Sequence, residues 1–272
     1  MSADGLARAR HKMHDAGVPR TAVDAFTRFY GLLESGETGI IAEEDVRPLT
    51  RVPYLADLDV DEEAGRRALA VTAVLKLNGG LGTSMGMDRA KSLLRVRGGR
   101  TFLDLIAEQV LVARAATGAR LPLVLMNSFR TRDDTLAALA AYPDLRVDGL
   151  PLDFLQNREP KLRTDDLSPV EWPADPDLEW CPPGHGDLYT ALYASGTLTA
   201  LLDAGFRYAT VSNSDNLGAA PDARIAGWFA GTGAPFAAEV ARRTPADRKG
   251  GHLVVRAADG RIVLRETAQT RP

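Results

Sequence analysis

Residues 74–94, VLKLNGGLGTSMGMDRAKSLL, place a cluster of glycines behind an apolar run, with a lysine after them. The glycines are Gly79, Gly80, Gly82 and Gly86, and Lys91 follows just before a second apolar run. Backbone N–H groups without side chains can approach phosphate oxygens closely, and glycine also tolerates the positive φ angles that such loops need. The ammonium group of a lysine matches the charge of a polyphosphate. These residue types together predict a phosphate-binding turn.

The spacing of the glycines matches neither of the common phosphate-binding motifs. It is not the pattern G-x-x-x-x-G-K-[ST], and the second interval after G-x-G is longer than in the dinucleotide-binding fingerprint. An ordinary glycine-rich turn between a strand and a helix explains the pattern about equally well. Lys91 alone could be a solvated surface charge.

Three apolar segments predict the strands of a buried sheet. Residues 68–77 and 121–128 are continuous apolar runs, typical of strands covered on both faces, and residues 206–216 form a strand that enters a polar turn. Ligands of parallel sheets bind beyond the carboxyl ends of the strands. The polar motifs of this chain follow the three segments, so we expect one binding edge.

Helical patterns and further strands surround these segments. Residues 101–116 and 131–142 carry apolar side chains at helical spacing, which indicates βαβ units and a mostly parallel sheet. Residues 233–243 predict a later strand, and residues 252–268 predict a hairpin around Asp259 and Gly260. The region before the sheet, residues 1–65, is predicted to be helical.

Composition excludes several classes of protein. The chain has 272 residues and a formal net charge of −3, so no global positive field calls for nucleic acid or an anionic membrane. Its one cysteine, Cys181, cannot form an internal disulfide. Neither a signal peptide nor an apolar run of about 18 residues is present, so we expect a soluble, cytoplasmic protein.

Further segments extend the pattern of the glycine loop. They are LPLVLMNSF, QNREPK, EWCPPGHGDLYT, NSDNLGA, RRTPADRKGGHL and LRETAQ. With KLNGGLGTSMG and AKSLL, they resemble the signature segments of UDP-glucose pyrophosphorylases of the eukaryotic type, in the same order along the chain. The resemblance is strongest to trypanosomatid and some bacterial forms and covers about residues 22–270. It favours a nucleotide site over an ordinary turn.

The resemblance implies an α/β fold, a Rossmann-like nucleotidyltransferase domain with a mixed, mostly parallel sheet and a helical N-terminal segment. We place the helical region at residues 1–65 and the catalytic domain at residues 66–272. The implied reaction transfers UMP from UTP to glucose 1-phosphate and releases pyrophosphate, with Mg2+ as cofactor. UTP and glucose 1-phosphate are thus the expected partners, without nucleic acid or membrane, and the oligomeric state stays open.

The resemblance also assigns residues to the nucleotide. The implied nucleotide-binding set is Leu77, Asn78, Gly79, Gly80, Gly82, Gln156 and Gly184. Gln156 corresponds to the glutamine that reads uracil, because a side-chain amide can donate and accept at the O4/N3–H edge. Gly184, in PPGHGD, allows close approach of the backbone.

The remaining assignments concern phosphate, metal and sugar. Lys91 and Asp215 are the implied catalytic residues, with Lys91 as the phosphate clamp and Asp215 as the Mg2+ ligand. His185 is expected at the sugar phosphate, and Asn213 and Glu266 at the sugar hydroxyls.

Two departures from the family pattern leave alternatives open. Residues 89–90 are Arg-Ala where many members have Gly-Pro, and members continue well past LRETAQ into a β-helix that this sequence lacks. We therefore expect a truncated chain with weak or no activity of its own. The alternatives are a remnant that binds UTP or a UDP-sugar without efficient turnover, and a related pyrophosphorylase for another sugar phosphate.

Overall fold

The computed structural model describes residues 3–82, 86, 89–245 and 250–270. Its α-helices are α1 (Ala3–Asp15), α2 (Arg20–Glu34), α3 (Glu62–Ala70), α4 (Phe102–Thr117), α5 (Arg132–Leu139), α6 (Asp187–Ala194), α7 (Thr197–Asp203) and α8 (Ala223–Thr232). Its strands are β1 (Val46–Pro48), β2 (Thr72–Asn78), β3 (Arg95–Arg97), β4 (Arg100–Thr101), β5 (Leu123–Asn127), β6 (Asp153–Leu155), β7 (Glu159–Pro160), β8 (Trp180–Cys181), β9 (Tyr208–Asn213), β10 (His252–Arg256) and β11 (Ile262–Arg265). None of the described helices has the length and apolar character needed to cross a bilayer.

The central sheet is parallel and has the strand order β6-β5-β2-β9. Leu77 of β2 lies opposite Met126 of β5 on one side and Asn213 of β9 on the other, so these strands end at the same edge. The three predicted strands are confirmed, although the first begins at Thr72 because the preceding residues complete α3. Both predicted crossover helices are present as α4 and α5.

Helices cover both faces of this sheet, as expected for a parallel sheet. One face packs against α3, α4, α5 and α8, around residues such as Leu103, Ile106 and Leu125. The other face packs against α6 and α7, around Leu75 and Met126. The result is the expected α/β layer structure, with the carboxyl edge of the sheet left open.

The N-terminal helices form a core of their own against the ribbon β7–β8. Met13, Phe26 and Tyr30 are buried there, with Leu167 and Trp180 packed against them. The predicted boundary at residues 65 and 66 falls inside α3, which packs on α8 of the main body. The chain passes from one region to the other within a helix.

A second sheet is antiparallel, with the order β1-β10-β11. It contains the hairpin predicted around Asp259 and Gly260, where Gly260 has a φ of +72°. The strand predicted for residues 233–243 is wrong, since the structure has no strand there. Pro235 cannot donate to a ladder, and Phe236 and Val240 are exposed instead of packed on a sheet.

Candidate functional site

A cleft of about 210 Å³ opens at the carboxyl edge of the parallel sheet. Its lining residues are Leu77, Gly79, Gly80, Lys91, Met126, Gln156, Gly184, His185, Asn213, Ser214 and Asp215. They come from the carboxyl ends of β2, β5 and β9, from the segments that follow β2, β6 and β9, and from the loop before α6. The topology thus brings together residues that are up to 138 positions apart in the sequence, from Leu77 to Asp215.

The glycine loop folds back on itself after β2. The N–H of Lys91 donates to the carbonyl of Gly80 at 3.0 Å, and the N–H of Gly82 donates to the carbonyl of Arg89 at 3.1 Å. Lys91 therefore returns to the start of the loop, where it begins a short 3₁₀ turn, Lys91–Leu93. Residues 83–85 and 87–88 of the predicted loop lie outside the described residues.

Lys91 and Asp215 form an ion pair in the cleft. The side chains of Lys91 and Asp215 are 41% and 30% exposed to solvent, so a ligand in the cleft can reach both. Asp215 follows β9, where the N–H of Ser214 donates to the carbonyl of Leu77 at 3.1 Å and ties this turn to β2. The two predicted catalytic residues thus lie in contact, with opposite charges.

Gln156 lies against the backbone of Gly79. A Cβ atom added at Gly79 would stand 2.3 Å from Oε1 of Gln156, which is closer than any real contact of a Cβ atom. The N–H of Gln156 donates to the carbonyl of Asn127 at the end of β5 at 2.8 Å. The bare backbone at Gly79 is what lets this amide side chain occupy the cleft.

The PPGHGD segment forms the opposite side of the cleft. Gly184 has a φ of +98°, a conformation that favours glycine. The N–H of Asp187 donates to the carbonyl of Gly184 at 3.2 Å, and the N–H of Leu188 donates to the carbonyl of His185 at 3.1 Å. These bonds join the loop to the start of α6 and leave the imidazole of His185 exposed at the cleft.

Three of the predicted site residues do not line this cleft. Asn78 is buried on the other side of β2, where its amide donates to Asn127 at 2.7 Å and to Thr135 at 2.9 Å. Gly82 is buried within the loop. Glu266 is exposed beside the antiparallel sheet, where it caps a short 3₁₀ turn. Each of these positions has a local structural role.

Sequence reasoning left out two residues of the cleft and one buried residue near it. Met126 is the next-to-last residue of β5, near the carboxyl edge of the sheet, and Ser214 lies inside the NSDN motif. Lys76 of β2 is only 1% exposed and donates to Ser212 at 2.7 Å and to the carbonyl of Ala219 at 3.0 Å. Burial lowers the pKa of Lys76 to about 8.

A larger hollow of about 560 Å³ lies beside the cleft, between the α1–α2 connection and β6. Gln156 borders both spaces, but none of the other predicted site residues lines the hollow. Size alone does not identify a reactive site. The smaller cleft brings together the glycine backbone, the lysine and the carboxylate, so it is the candidate functional site.

Comparison with known proteins finds similar sequences in one family. The profile of the UTP–glucose-1-phosphate uridylyltransferase family matches residues 23–272. A UTP–glucose-1-phosphate uridylyltransferase from Solanum tuberosum is 41% identical over 250 residues, which are 90% of this chain and 52% of the relative. The chain therefore spans about half the length of this relative.

Solved structures are similar over nearly the whole chain. A UDP-glucose phosphorylase from Trypanosoma brucei superposes with a TM-score of 0.90 at 42% identity, covering 99% of this chain and 57% of the other. A mutant UDP-glucose pyrophosphorylase from Leishmania major, solved in complex with UDP-glucose, gives a TM-score of 0.90 at 40% identity, covering 100% and 59%. These matches confirm the expected fold.

Proposed function

The chain belongs to the UTP–glucose-1-phosphate uridylyltransferase family, and from this premise we propose that it transfers UMP from UTP to glucose 1-phosphate. The observation that carries the proposal is the cleft itself. It places bare backbone at Gly79 and Gly80, an amide at Gln156 and an ion pair between Lys91 and Asp215 at the edge where parallel sheets bind ligands.

The proposed reaction needs no nucleophilic side chain. A phosphate oxygen of glucose 1-phosphate attacks the α-phosphorus of UTP, a new O–P bond forms, and the bond to the β-phosphate breaks with release of pyrophosphate. The protein has to hold two polyanions in line and neutralise the charge that develops on the leaving group. Lys91 and the N–H groups of Gly79 and Gly80 are suited to this task.

The uracil and sugar ends of the substrates are assigned to opposite sides of the cleft. Gln156, held against Gly79, can both donate and accept at the uracil edge. His185 can donate to a phosphate oxygen of the sugar phosphate without acting as a base, and Asn213 can bond a sugar hydroxyl.

Asp215 has the chemistry of a Mg2+ ligand. Mg2+ is usually held by one or two carboxylates together with substrate phosphates, so a single carboxylate beside a triphosphate site is suitable. Among the described residues, no group of three or more His, Cys, Asp and Glu side chains could hold a metal alone. When bound, the ion would neutralise charge on the triphosphate. Lys91, beside Asp215, would contact the phosphates.

The position of Glu266 supports a second candidate function. Because this predicted sugar contact lies outside the cleft, the described residues offer the hexose fewer partners than expected. Binding of UTP or a UDP-sugar without efficient turnover is thus the alternative, and preference for another sugar phosphate is a variant of the main proposal.

Calorimetry with Mg2+ and UTP, combined with a pyrophosphate-release assay, separates these possibilities. We expect UTP binding with a preference over CTP, and slow release of pyrophosphate that requires added glucose 1-phosphate. Lys91→Ala should slow release by about 10²–10³-fold, as is typical for loss of one charge stabiliser. Lys161→Ala, at an exposed lysine outside the cleft, is the matched control.

Each result points to one possibility. Binding without release favours the binding-only alternative, and faster release with galactose 1-phosphate favours another substrate. No heat with Mg2+ and UTP on folded protein contradicts the proposal.

A further inference from the structure

A buried carboxylate joins the two sides of the cleft. Asp187 is the first residue of α6 and is only 6% exposed. Its Oδ2 accepts a hydrogen bond from the backbone N–H of Asn157 at 2.6 Å, and its Oδ1 accepts one from Nδ2 of the same residue at 2.7 Å. We call this pair of bonds the Asp187 clamp.

The clamp holds the residue after Gln156. The N–H of Gln156 is bonded to the carbonyl of Asn127 at 2.8 Å, and the N–H of the next residue is bonded to Asp187. Consecutive N–H groups of this segment are thus fixed to two different elements, β5 and α6. These bonds fix the backbone from which the Gln156 side chain extends to Gly79.

The same carboxylate belongs to the loop that carries His185. The N–H of Asp187 donates to the carbonyl of Gly184, and the first turn of α6 closes on the carbonyl of His185. A shift of Asp187 would therefore move both the segment of Gln156 and the segment of His185.

We propose that Asp187 is a positioning residue that sets the uracil-reading geometry of Gln156 and couples it to the His185 loop. The inference rests on the proposed function, because it assumes that Gln156 reads the base. Asp187 does not line the cleft and acts only through Asn157 and the loop.

The charges around Asp187 show why its hydrogen bonds to Asn157 are needed. Burial raises the pKa of Asp187, although the bonds from Asn157 act in the opposite direction. Glu159 lies close by, and its pKa is raised by burial and by the charge of Asp187. A buried carboxylate near a half-buried one is unfavourable unless hydrogen bonds satisfy it. The clamp supplies such bonds at Asp187.

A set of variants of the full 272-residue chain tests the clamp. Asp187→Asn leaves one acceptor oxygen for two donors and turns an NH2 group toward Asn157. The exchange Asp187→Asn with Asn157→Asp restores complementary partners. Asn157→Ser replaces the amide donor with the hydroxyl of a shorter side chain, keeps the backbone N–H, and is the milder variant, should Asp187→Asn fail to fold. Glu159→Gln removes a neighbouring charge without touching the clamp.

The measurement is the ratio of the affinities for Mg2+–UTP and Mg2+–CTP by calorimetry, on variants with a thermal transition like that of the unaltered chain. We expect Asp187→Asn to lower this ratio about tenfold and Asn157→Ser to lower it about threefold. The exchanged pair should recover most of the preference, and Glu159→Gln should keep it.

Two outcomes overturn the inference, and they are distinguishable. A normal UTP preference in Asp187→Asn, or in Asn157→Ser where Asp187→Asn does not fold, contradicts the clamp alone. An unaltered chain that binds UTP no better than CTP contradicts the proposed reading of uracil by Gln156, and the inference with it.

Discussion

Glycines shape the cleft for different reasons at different positions. At Gly184 the φ of +98° requires glycine, whereas Gly79 has an ordinary φ and requires it because of Gln156. At Gly80 an added Cβ would meet no atom of the protein within 4 Å. Glycine would be required there only if a bound ligand occupied that space. Residue identity alone does not separate these cases.

Substitution of Gly79 and Gly80 by alanine therefore gives different results under our proposal. Gly79→Ala should push the Gln156 amide aside and reduce the preference for UTP over CTP about tenfold, with little effect on folding because the displaced group ends a flexible side chain. Gly80→Ala should weaken the binding of UTP and of CTP to a similar degree, because both nucleotides carry the same phosphates. Calorimetry with each nucleotide measures both effects. An unchanged UTP preference in Gly79→Ala would remove Gln156 from base recognition.

Lys76 should make the free energy of unfolding depend on pH in the alkaline range. Its pKa is about 8 when folded against an ordinary value of 10.5, so the unfolded chain binds more protons between these pH values. The free energy of unfolding should therefore rise with pH from about 8 to 10.5. Below pH 8 the burial of the charge is fully unfavourable, by about 3 kcal/mol. Lys76→Met should lack this rise.

Denaturant titrations across that pH range check the prediction. The difference between Lys76→Met and the unaltered chain is the relevant quantity, because other titrating groups cancel in it. Lys161→Met controls for the loss of a lysine from an exposed position. Curves for Lys76→Met and the unaltered chain that stay parallel from pH 8 to 10.5 would show that Lys76 does not titrate there.

Most of the predicted site residues line the cleft, and three do not. Lys91, Gln156 and His185 belong to motifs in loops, and loops after parallel strands meet at one edge. Asn78 is the last residue of a strand, and successive side chains of a strand point to opposite faces, so it turns away when Leu77 faces the cleft. The location of Glu266 depends on how a separate antiparallel sheet packs, which no local pattern encodes.

At the scale of elements, α3 and α8 approach each other through glycines. A Cβ at Gly227 would stand 2.7 Å from Val60 and 2.9 Å from Cα of Gly65, and a Cβ at Gly65 would stand 2.8 Å from the carbonyl oxygen of Ala223. Most of these atoms belong to the backbone, which cannot rotate away from an added Cβ as a flexible side chain can. This contact fixes α3, and with it the start of β2, against the helix that follows the Asp215 loop.

Gly227→Ala should accordingly destabilise the chain by about 1–3 kcal/mol, the usual effect of overpacking. Gly231→Ala lies one turn later in the same helix and has open space around its Cβ, so it should be neutral or stabilising by up to about 1 kcal/mol. Urea unfolding of the two variants makes the comparison. Equal midpoints would mean that the α3–α8 contact loosens without loss of stability.

Elements with a sustained hydrophobic pattern were predicted correctly. The strand predicted for residues 233–243, an apolar segment without such a pattern, is absent. The helices α4 and α5 and the strands β2, β5 and β9 follow their patterns closely. Residues 233–243 have apolar content but include Pro235, and no strand pairs with them in the described part of the chain. A strand needs a partner ladder as well as suitable side chains, and only the tertiary structure shows whether one is present.

At the scale of the whole molecule, the N-terminal helices are tied to the rest of the chain by charges as well as by apolar packing. Lys12 of α1 donates to the carbonyl of Val170 at 2.7 Å and pairs with Glu179, and both side chains are largely buried. The bond from Lys12 is the main cause that lowers the pKa of Glu179. Four residues earlier on the same helix, Arg8 pairs with Glu171 in solvent.

These two ion pairs provide a matched test of how firmly α1 is integrated. Lys12→Met should lower the urea midpoint of unfolding several times more than Arg8→Met, because it removes the paired cation from a largely buried carboxylate and a donor from the carbonyl of Val170. An exposed pair such as that of Arg8 contributes little. If the helices and the sheet form one cooperative unit, both variants keep a single transition by circular dichroism and tryptophan fluorescence. A Lys12→Met midpoint equal to that of Arg8→Met, or an early separate transition, would instead support an N-terminal region that unfolds independently.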